Sequence, residues 1–202
     1  QEIPDGTASA AICHGAAGII KGTILGEDSH AARPHLGQNA IEVGAAIVHG
    51  LEGIRMDPLV PYSVKMTKLH AGSETGNIIP AKASFTLDTR AQTNEAMRIL
   101  RAKVNEVLRS VESIFHVKIK FKMHEGLVAA IVNEEAYDLM EQAIITVLGA
   151  DKLEPRITTP GGEDFHFYQG IRTIKSGTTK EVVLQANHSG FREISREEFF
   201  DK

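Results

Sequence analysis

The chain has 202 residues, of which 42% are apolar and 24% charged, and a formal net charge of −4 at pH 7. This length predicts one or two domains with a real core, and the mildly acidic balance argues against a nucleic-acid-binding protein, which usually carries a basic face. The longest uncharged run is too short for a membrane span, the single cysteine excludes an intramolecular disulfide, and no secretory leader is evident, so we expect a cytoplasmic protein.

The first part of the chain predicts a strand, a helix and a second strand. Residues 18–26 are rich in β-branched side chains and bounded by glycines, which is typical of a strand. Residues 40–51 carry apolar side chains at helical spacing, and Asn39 is a suitable N-cap. Residues 62–70 alternate apolar with polar side chains, as a half-buried strand does.

A strand, a long helix and a further strand follow. Residues 83–90 alternate in the same way, and Thr93 can cap a helix whose apolar stripe runs to Ile114. Residues 117–123 place three lysines on one face and four apolar side chains on the other, which indicates a one-sided strand. The order β-α-β-β-α-β over about residues 18–124 is the split βαβ, or ferredoxin-like, order.

The remaining residues predict too few elements for a domain. Asn133 can cap a helix that ends at about Leu148. Its apolar face comprises Ala136, Tyr137, Met140, Ala143, Ile144 and Val147. A short extended piece at 156–159 follows, then a strand near 181–184 and a charged helical tail. One helix and two strands cannot bury a core alone, so residues 125–202 need the rest of a domain.

Several polar side chains are candidates for chemistry. His30 and His35 flank Arg33 just after the first strand, and together they could orient an anion or stabilise an oxyanion; a solvated loop is the alternative. Arg90 at a strand end and Asn77 in a loop could hold a carboxylate, although most strand-end arginines are simply solvated.

Other candidates depend on single features. The glycines of Gly161-Gly162 allow a ligand to approach the backbone closely, but such a pair is usually only a turn. Cys13 and His14 are adjacent, and neighbouring residues rarely share a metal. His188 is the one histidine of the tail that stays a candidate. The chain contains no complete catalytic motif of a familiar type.

Three segments, GEDSHAARPHLGQNAIEVGAAIV, LHAGSETGNIIPAKASFTLDTRAQT and TTPGGEDFHFY, resemble the M20 metallopeptidases. The most similar group is the amidohydrolase branch of hippurate, N-acyl-amino-acid and auxin-conjugate hydrolases, and the resemblance covers about residues 1–170. It implies an α/β fold in which a ferredoxin-like lid, or dimerisation, domain interrupts a two-metal catalytic domain. Residues 1–17 would then end the N-terminal catalytic part and 18–124 would form the lid. Residues 125–202 would be the C-terminal catalytic segment, atypical after about 170.

The resemblance also implies roles for individual residues. His30 matches the lid histidine that reaches the active site of the partner subunit and stabilises the tetrahedral intermediate. Asn77 and Arg90 match residues that hold the free carboxylate of the substrate. The loop that lines the substrate pocket corresponds to Gly161, Gly162 and Glu163.

The resemblance implies two divalent metal ions, such as zinc, manganese or cobalt, in the intact enzyme. The family's upstream ligand segments are absent from this sequence. A His-His-Pro segment supplies the last ligand in the family, and Asn187-His188-Ser189 is a poor stand-in for it. His188 is therefore the only metal ligand that this comparison indicates, and the chain alone is expected to lack a complete metal site.

These observations lead to three hypotheses. The first is a metal-dependent amidohydrolase that cleaves the amide bond of N-acyl amino acids and forms a homodimer through its lid. The second is a non-catalytic dimerisation or lid module, which the missing upstream ligands favour. The third, a ferredoxin-like sensor of small molecules, is supported by fold analogy alone.

Overall fold

A computed structural model gives the fold of the chain. It describes residues 3–124 and 126–166, and the backbone of strands at 172–175, 181–187 and 190–194. Two compact units are present: one spans Ala17–Gly126, and the other combines the residues before it with those after it. Among the described residues, no helix is both long and apolar enough to cross a membrane.

The unit Ala17–Gly126, termed the lid below, is built on one four-stranded sheet. Its elements are β1 (Ala16–Leu25), α1 (Ala40–Glu52), β2 (Tyr62–Ala71), β3 (Lys82–Ala91), α2 (Asn94–Phe115) and β4 (Lys118–Met123). The strand order across the sheet is β2-β3-β1-β4, and β4 runs antiparallel to β1 as β2 does to β3. The predicted ferredoxin-like order is therefore confirmed.

Local hydrogen bonds set the helix ends. The side chain of Asn39 accepts a hydrogen bond from the Ile41 N–H at 3.0 Å, and that of Thr93 accepts one from the Ala96 N–H at 3.1 Å. Helix α2 ends at His116, which adopts the left-handed conformation with φ 53°. Both predicted N-caps thus satisfy backbone donors that the first helical turn leaves unpaired.

The core of the lid lies between the helices and one face of the sheet. Its fully buried side chains include Ile20, Ile24, Val43, Ile47, Leu87, Leu100, Leu108 and Ile119. Ile114, predicted to belong to the buried stripe of α2, is instead 70% exposed. The stripe continues from Val111 to Phe115, because four residues complete one helical turn more closely than three.

The described part of the second unit contains short parallel strand pairs, one α-helix and an antiparallel sheet of the strands Arg172–Lys175, Glu181–Asn187 and Gly190–Ile194. Ala8–Ser9 pairs with Leu153–Glu154, and Ile12–His14 pairs with Ile157–Thr159. These parallel pairings join chain segments far apart in sequence, so no local pattern predicts them. The extended piece expected near 156–159 is confirmed as the last of these strands.

Helix α3 (Glu134–Leu148) of this unit is largely exposed. The side chain of Asn133 caps it by accepting a hydrogen bond from the Ala136 N–H at 2.9 Å. Of its predicted apolar face only Ile144 is buried, whereas Met140 and Val147 are exposed. The described part of this unit has no core comparable with that of the lid. The strand predicted near 181–184 is present as Glu181–Asn187. The helical tail predicted after it is wrong where the structure describes it, because Gly190–Ile194 is a strand that pairs with Glu181–Asn187.

Candidate functional site

A short strand pair in the lid brings His30 and Asn77 together. Ser29–His30 pairs antiparallel with Ile78–Ile79, and the Ala31 N–H donates a hydrogen bond to the Asn77 carbonyl oxygen at 2.9 Å. The His30 Nε2 lies 3.3 Å from the side-chain amide of Asn77. Both side chains are exposed. The two residues, which are 47 positions apart, therefore form one polar cluster at the surface of the lid.

Backbone hydrogen bonding indicates the tautomer of His30. The Ala32 N–H donates to His30 Nδ1 at 3.1 Å, so Nδ1 is an acceptor and carries no proton. A neutral imidazole then holds its proton on Nε2. This N–H needs an acceptor, which Asn77 supplies when its amide oxygen, rather than its nitrogen, faces the ring. The pair thus presents a positioned N–H donor at the surface.

Arg90 is held by a carboxylate of its own strand. Its Nε and Nη2 donate to Asp88 Oδ1 and Oδ2 at 2.8 and 3.0 Å, a bidentate geometry. The hydrogen bond that Arg90 donates to Asp88 raises the pKa of Arg90 above its usual value. Residues two apart on a strand share a face, and this spacing is the sequence signal that could have predicted the ion pair.

The Gly161–Glu163 turn belongs to the second unit. The Gly15 N–H donates to the carbonyl oxygen of Gly161 at 2.9 Å, and the Gly161 N–H donates to Thr159 Oγ1 at 3.2 Å. Gly162 follows in the same turn and is half-buried. These bonds hold the start of the turn against the parallel strand pair.

The carboxylate of Glu163 closes this turn. Its Oε1 accepts from the Asp164 N–H at 2.9 Å and from the Phe165 N–H at 3.4 Å. A hydrogen bond between the two carboxyl groups lowers the pKa of Glu163 and raises that of Asp164. At neutral pH the turn therefore carries exposed negative charge.

A histidine pair beside this turn was missed in the sequence. His14 Nδ1 lies 3.2 Å from His166 Nε2, and both rings are partly buried. In the sequence, His14 stands beside Cys13, and that adjacency by itself does not indicate a metal site. Because the two histidines are 152 residues apart, the pairing of their segments is needed to bring them together, and no spacing rule reveals it.

The donor set in the described residues does not fit a complete metal site. Two imidazoles can be metal ligands, but the described part of the chain holds no group of three or more His, Cys, Asp or Glu side chains that could bind an ion. His188, the predicted metal ligand, lies outside the described residues.

Comparison with known proteins gives a consistent family. A model of the M20 type, described as a peptidase dimerisation domain, matches residues 14–114, half of the chain. A hydrolase from Sinorhizobium fredii is 29% identical over 151 residues, covering 74% of this chain and 38% of that protein. A succinyl-diaminopimelate desuccinylase from Acinetobacter baylyi is 28% identical over 172 residues, covering 82% of this chain and 44% of that protein.

Solved structures show the same fold. The aminobenzoyl-glutamate utilization protein from Klebsiella pneumoniae is similar with a TM-score of 0.66 at 19% identity, covering 81% of this chain and 42% of that one. The chain spans less than half the length of both curated relatives named above.

Proposed function

The chain belongs to the M20 peptidase family, and from this membership we propose that it forms the lid and C-terminal catalytic segment of a metal-dependent amidohydrolase. The reaction is hydrolysis of the amide bond of an N-acyl amino acid or a related small amide. Support comes from the relative named as a succinyl-diaminopimelate desuccinylase, since that name describes removal of an acyl group. The observation that carries the proposal is the exposed cluster of His30 and Asn77, in which the Ala32 N–H binds His30 Nδ1 and leaves Nε2 to hold the proton of a neutral ring.

M20 enzymes generally depend on divalent metal ions, which lower the pKa of a bound water and so supply the attacking hydroxide. The described residues do not provide a complete site for such an ion. Zinc, manganese and cobalt are the candidate ions, and most of their ligands must come from outside the described residues. The roles proposed below therefore concern only the side chains of this chain.

His30 stabilises the oxyanion of the tetrahedral intermediate in the partner subunit. Its Nδ1 accepts from the Ala32 N–H, so in the neutral ring the proton stays on Nε2, which lies 3.3 Å from the Asn77 amide. The oxyanion replaces the Asn77 amide oxygen as the acceptor of this hydrogen bond. A donor fixed before the reaction needs no reorganisation as negative charge develops, and this is the source of its catalytic effect.

Arg90 and Asn77 hold the free carboxylate of the substrate. The guanidinium of Arg90 already binds one carboxylate in bidentate fashion, that of Asp88, and a substrate carboxylate exchanges with it. The proposed lining of the pocket in the second unit consists of Gly161, Gly162 and Glu163. There the paired glycines leave the backbone open to close approach.

The test is an amide-hydrolysis assay with zinc, manganese or cobalt, using N-succinyl and N-benzoyl amino acids, on the intact enzyme that supplies the metal ligands lying outside the described residues. His30→Ala is expected to lower kcat about a hundredfold, as loss of an oxyanion donor does. His49→Ala is the matched control, because His49 is an exposed histidine of α1 for which no role is proposed, and it should leave kcat unchanged. A kcat near that of the wild type in the His30→Ala variant would refute the proposed role.

The second candidate is a non-catalytic dimerisation or lid module. The observation that favours it is the lack of a metal-binding cluster of three side chains in the described part of the chain. It predicts near-zero metal per chain by elemental analysis and no turnover with any of the three ions. One or two tightly held ions per chain, together with turnover, would exclude it.

A homodimer through the lid is part of both candidates. β2 is an edge strand of the sheet, and its exposed backbone groups can pair with another chain. Beside it, Leu69 of β2 packs over Gly44 of α1, where an added Cβ would lie 2.9 Å from the leucine. Leu69 and the neighbouring helix residue Ile41 are 38% and 46% exposed. We propose this apolar edge as the surface of self-association.

A further inference from the structure

The face of the lid sheet that points away from α1 and α2, termed the outer face, forms a concave basic surface. It lines an open cavity of about 630 Å³. Its polar lining consists of Lys21, Thr23, Lys68, His70, Ser84, Thr86, Lys120 and Lys122. The set contains four lysines, one histidine and no carboxylate, in a chain whose net charge is −4. None of the residues given a substrate role above lines this cavity.

Strand register accounts for the arrangement. Successive side chains of a strand point to opposite faces, so Ile20 and Ile24 enter the core while Lys21 and Thr23 line the outer face. The hydroxyl groups stand on the central strands β1 and β3. The two edge strands carry the positive side chains, with Lys68 and His70 on β2 and Lys120 and Lys122 on β4. The result is a hydroxyl-bearing floor flanked by positive charge.

The positive charges are not neutralised by the part of the chain that the structure describes. Lys21 lies directly opposite Lys122 across β1 and β4, and like charges in that position destabilise a strand pair. Among the described ion pairs none involves the four lysines of the outer face. A bound anion would remove this repulsion, so the arrangement has an energetic reason to take one up.

The side chains of the outer face limit the class of ligand that it can bind. A single-stranded nucleic acid needs exposed aromatic rings on which bases stack, but the Phe85 ring packs against Gly22 in the core and the Phe121 ring is covered by Arg109 of α2 at 4.7 Å. A membrane surface needs apolar side chains that enter the bilayer, whereas the side chains that the strand register places on the outer face are lysines, a histidine and hydroxyl residues. Its volume falls in the range of small-molecule sites.

From these observations we infer that the outer face of the lid binds a small polyanion, a molecule with several clustered phosphate or carboxylate groups. The edge lysines contact the negative oxygens, and Ser84 and Thr86 donate hydrogen bonds from the floor. This inference does not depend on the proposed hydrolysis, because it concerns binding by the lid and is measured without turnover.

The experiment is calorimetric titration of the chain at low ionic strength with inorganic tripolyphosphate in one arm and citrate in the other. We expect saturable binding of one anion per chain, weakened by added salt. Lys120→Gln with Lys122→Gln should lower the affinity about tenfold, since two exposed ion pairs with the anion are lost. The arm that binds more tightly identifies phosphate or carboxylate as the preferred group.

Two further variants distinguish a built site from general charge attraction. Lys103→Gln with Lys152→Gln removes the same charge from outside the cavity lining and should leave the affinity unchanged. Thr86→Val keeps the charge and shape but removes a hydroxyl, and it should weaken binding two- to threefold. Equal losses in the two lysine pairs, many anions per chain, or tighter binding of a single-stranded oligonucleotide would overturn the inference.

Discussion

At the residue scale, Glu112 connects the end of α2 to the start of β4. Its Oε1 accepts a hydrogen bond from the Ile119 N–H at 2.9 Å and lies 3.1 Å from Lys118 Nζ, while its Oε2 accepts from Arg109 at 2.7 Å. The backbone hydrogen bond from Ile119 is the largest of the effects that lower the pKa of Glu112, from its usual 4.5 to about 2. One charged side chain thus holds the turn between two elements.

Removing this charge should weaken the fold in a pH-dependent way. The folded chain holds the Glu112 proton less tightly than the unfolded chain, so the stabilisation is complete above about pH 4.5 and is lost as the pH falls toward 2. We expect Glu112→Gln to lower the free energy of unfolding by about 1–2 kcal/mol at pH 7. The loss should shrink markedly at pH 2.5.

Urea unfolding followed by circular dichroism at both pH values measures this effect. Glu106→Gln is the matched control, since Glu106 is an exposed residue of the same helix, and it should change the stability by no more than about 0.5 kcal/mol. A Glu112→Gln penalty of equal size at pH 7 and pH 2.5 would show that the carboxylate charge is not responsible.

Sequence reasoning at this scale identified side chains but not their partners. The N-caps Asn39 and Thr93 were predicted because a cap depends on residues two or three positions away. The contact between His30 and Asn77 was not, because it requires a strand pair of only two residues on each side. The Asp88–Arg90 ion pair was within reach, since both residues lie on one face of a predicted strand.

At the element scale, Gly22 of β1 leaves room for the Phe85 ring of the neighbouring strand β3. A Cβ at Gly22 would come within 2.3 Å of Phe85 Cζ. Phe85 is 2% exposed and belongs to the core, so its ring has no open space to enter. The glycine is therefore required by a close approach of a side chain rather than by an unusual φ angle.

Gly22→Ala should consequently destabilise the lid by about 1–3 kcal/mol, the usual cost of overpacking a core. Urea unfolding of the chain measures the change. Gly76→Ala is the control, because a Cβ at Gly76 meets nothing within 4 Å, and it should be close to neutral. The double variant Gly22→Ala with Phe85→Leu should lose less free energy of unfolding than the two single variants lose together. Strict additivity would refute the steric explanation.

The elements of the lid could be predicted from sequence, whereas the second unit could be predicted only in part. Amphipathic periods in the lid reflect a core that its own residues supply, from Ile20 in β1 to Ile119 in β4. The parallel pairs Ala8–Ser9 with Leu153–Glu154 join distant segments and leave no periodic signal. Helix α3 was predicted correctly as a helix, but the spacing of its apolar side chains does not predict which of them are buried in the described part of the unit.

At the scale of the whole molecule, the lid has the core of an independent unit and an apolar edge at β2. The family model that matches residues 14–114 describes a dimerisation domain. Ile41 on α1 and Leu69 on β2 are both exposed, and the two elements are in contact where Leu69 packs on Gly44 of α1. Burial of such side chains at about 25 cal/mol per Å² is the usual driving force for association.

The last prediction concerns this edge. We expect sedimentation equilibrium to show a dimer of the chain that survives a chelator, because the apolar edge contains no metal ligand. Ile41→Asp should shift the equilibrium toward monomer, since a carboxylate buried in an interface without a partner costs several kcal/mol. Ile41 is already exposed, so the monomer should keep its fold, as circular dichroism would show. Ile114→Asp is the control, a charge on the equally apolar but more exposed end of α2. A dimer that is lost with Ile114→Asp but kept with Ile41→Asp would place the interface at the end of α2 instead. A dimer that dissociates when metal is removed would show that self-association depends on a metal site rather than on the lid.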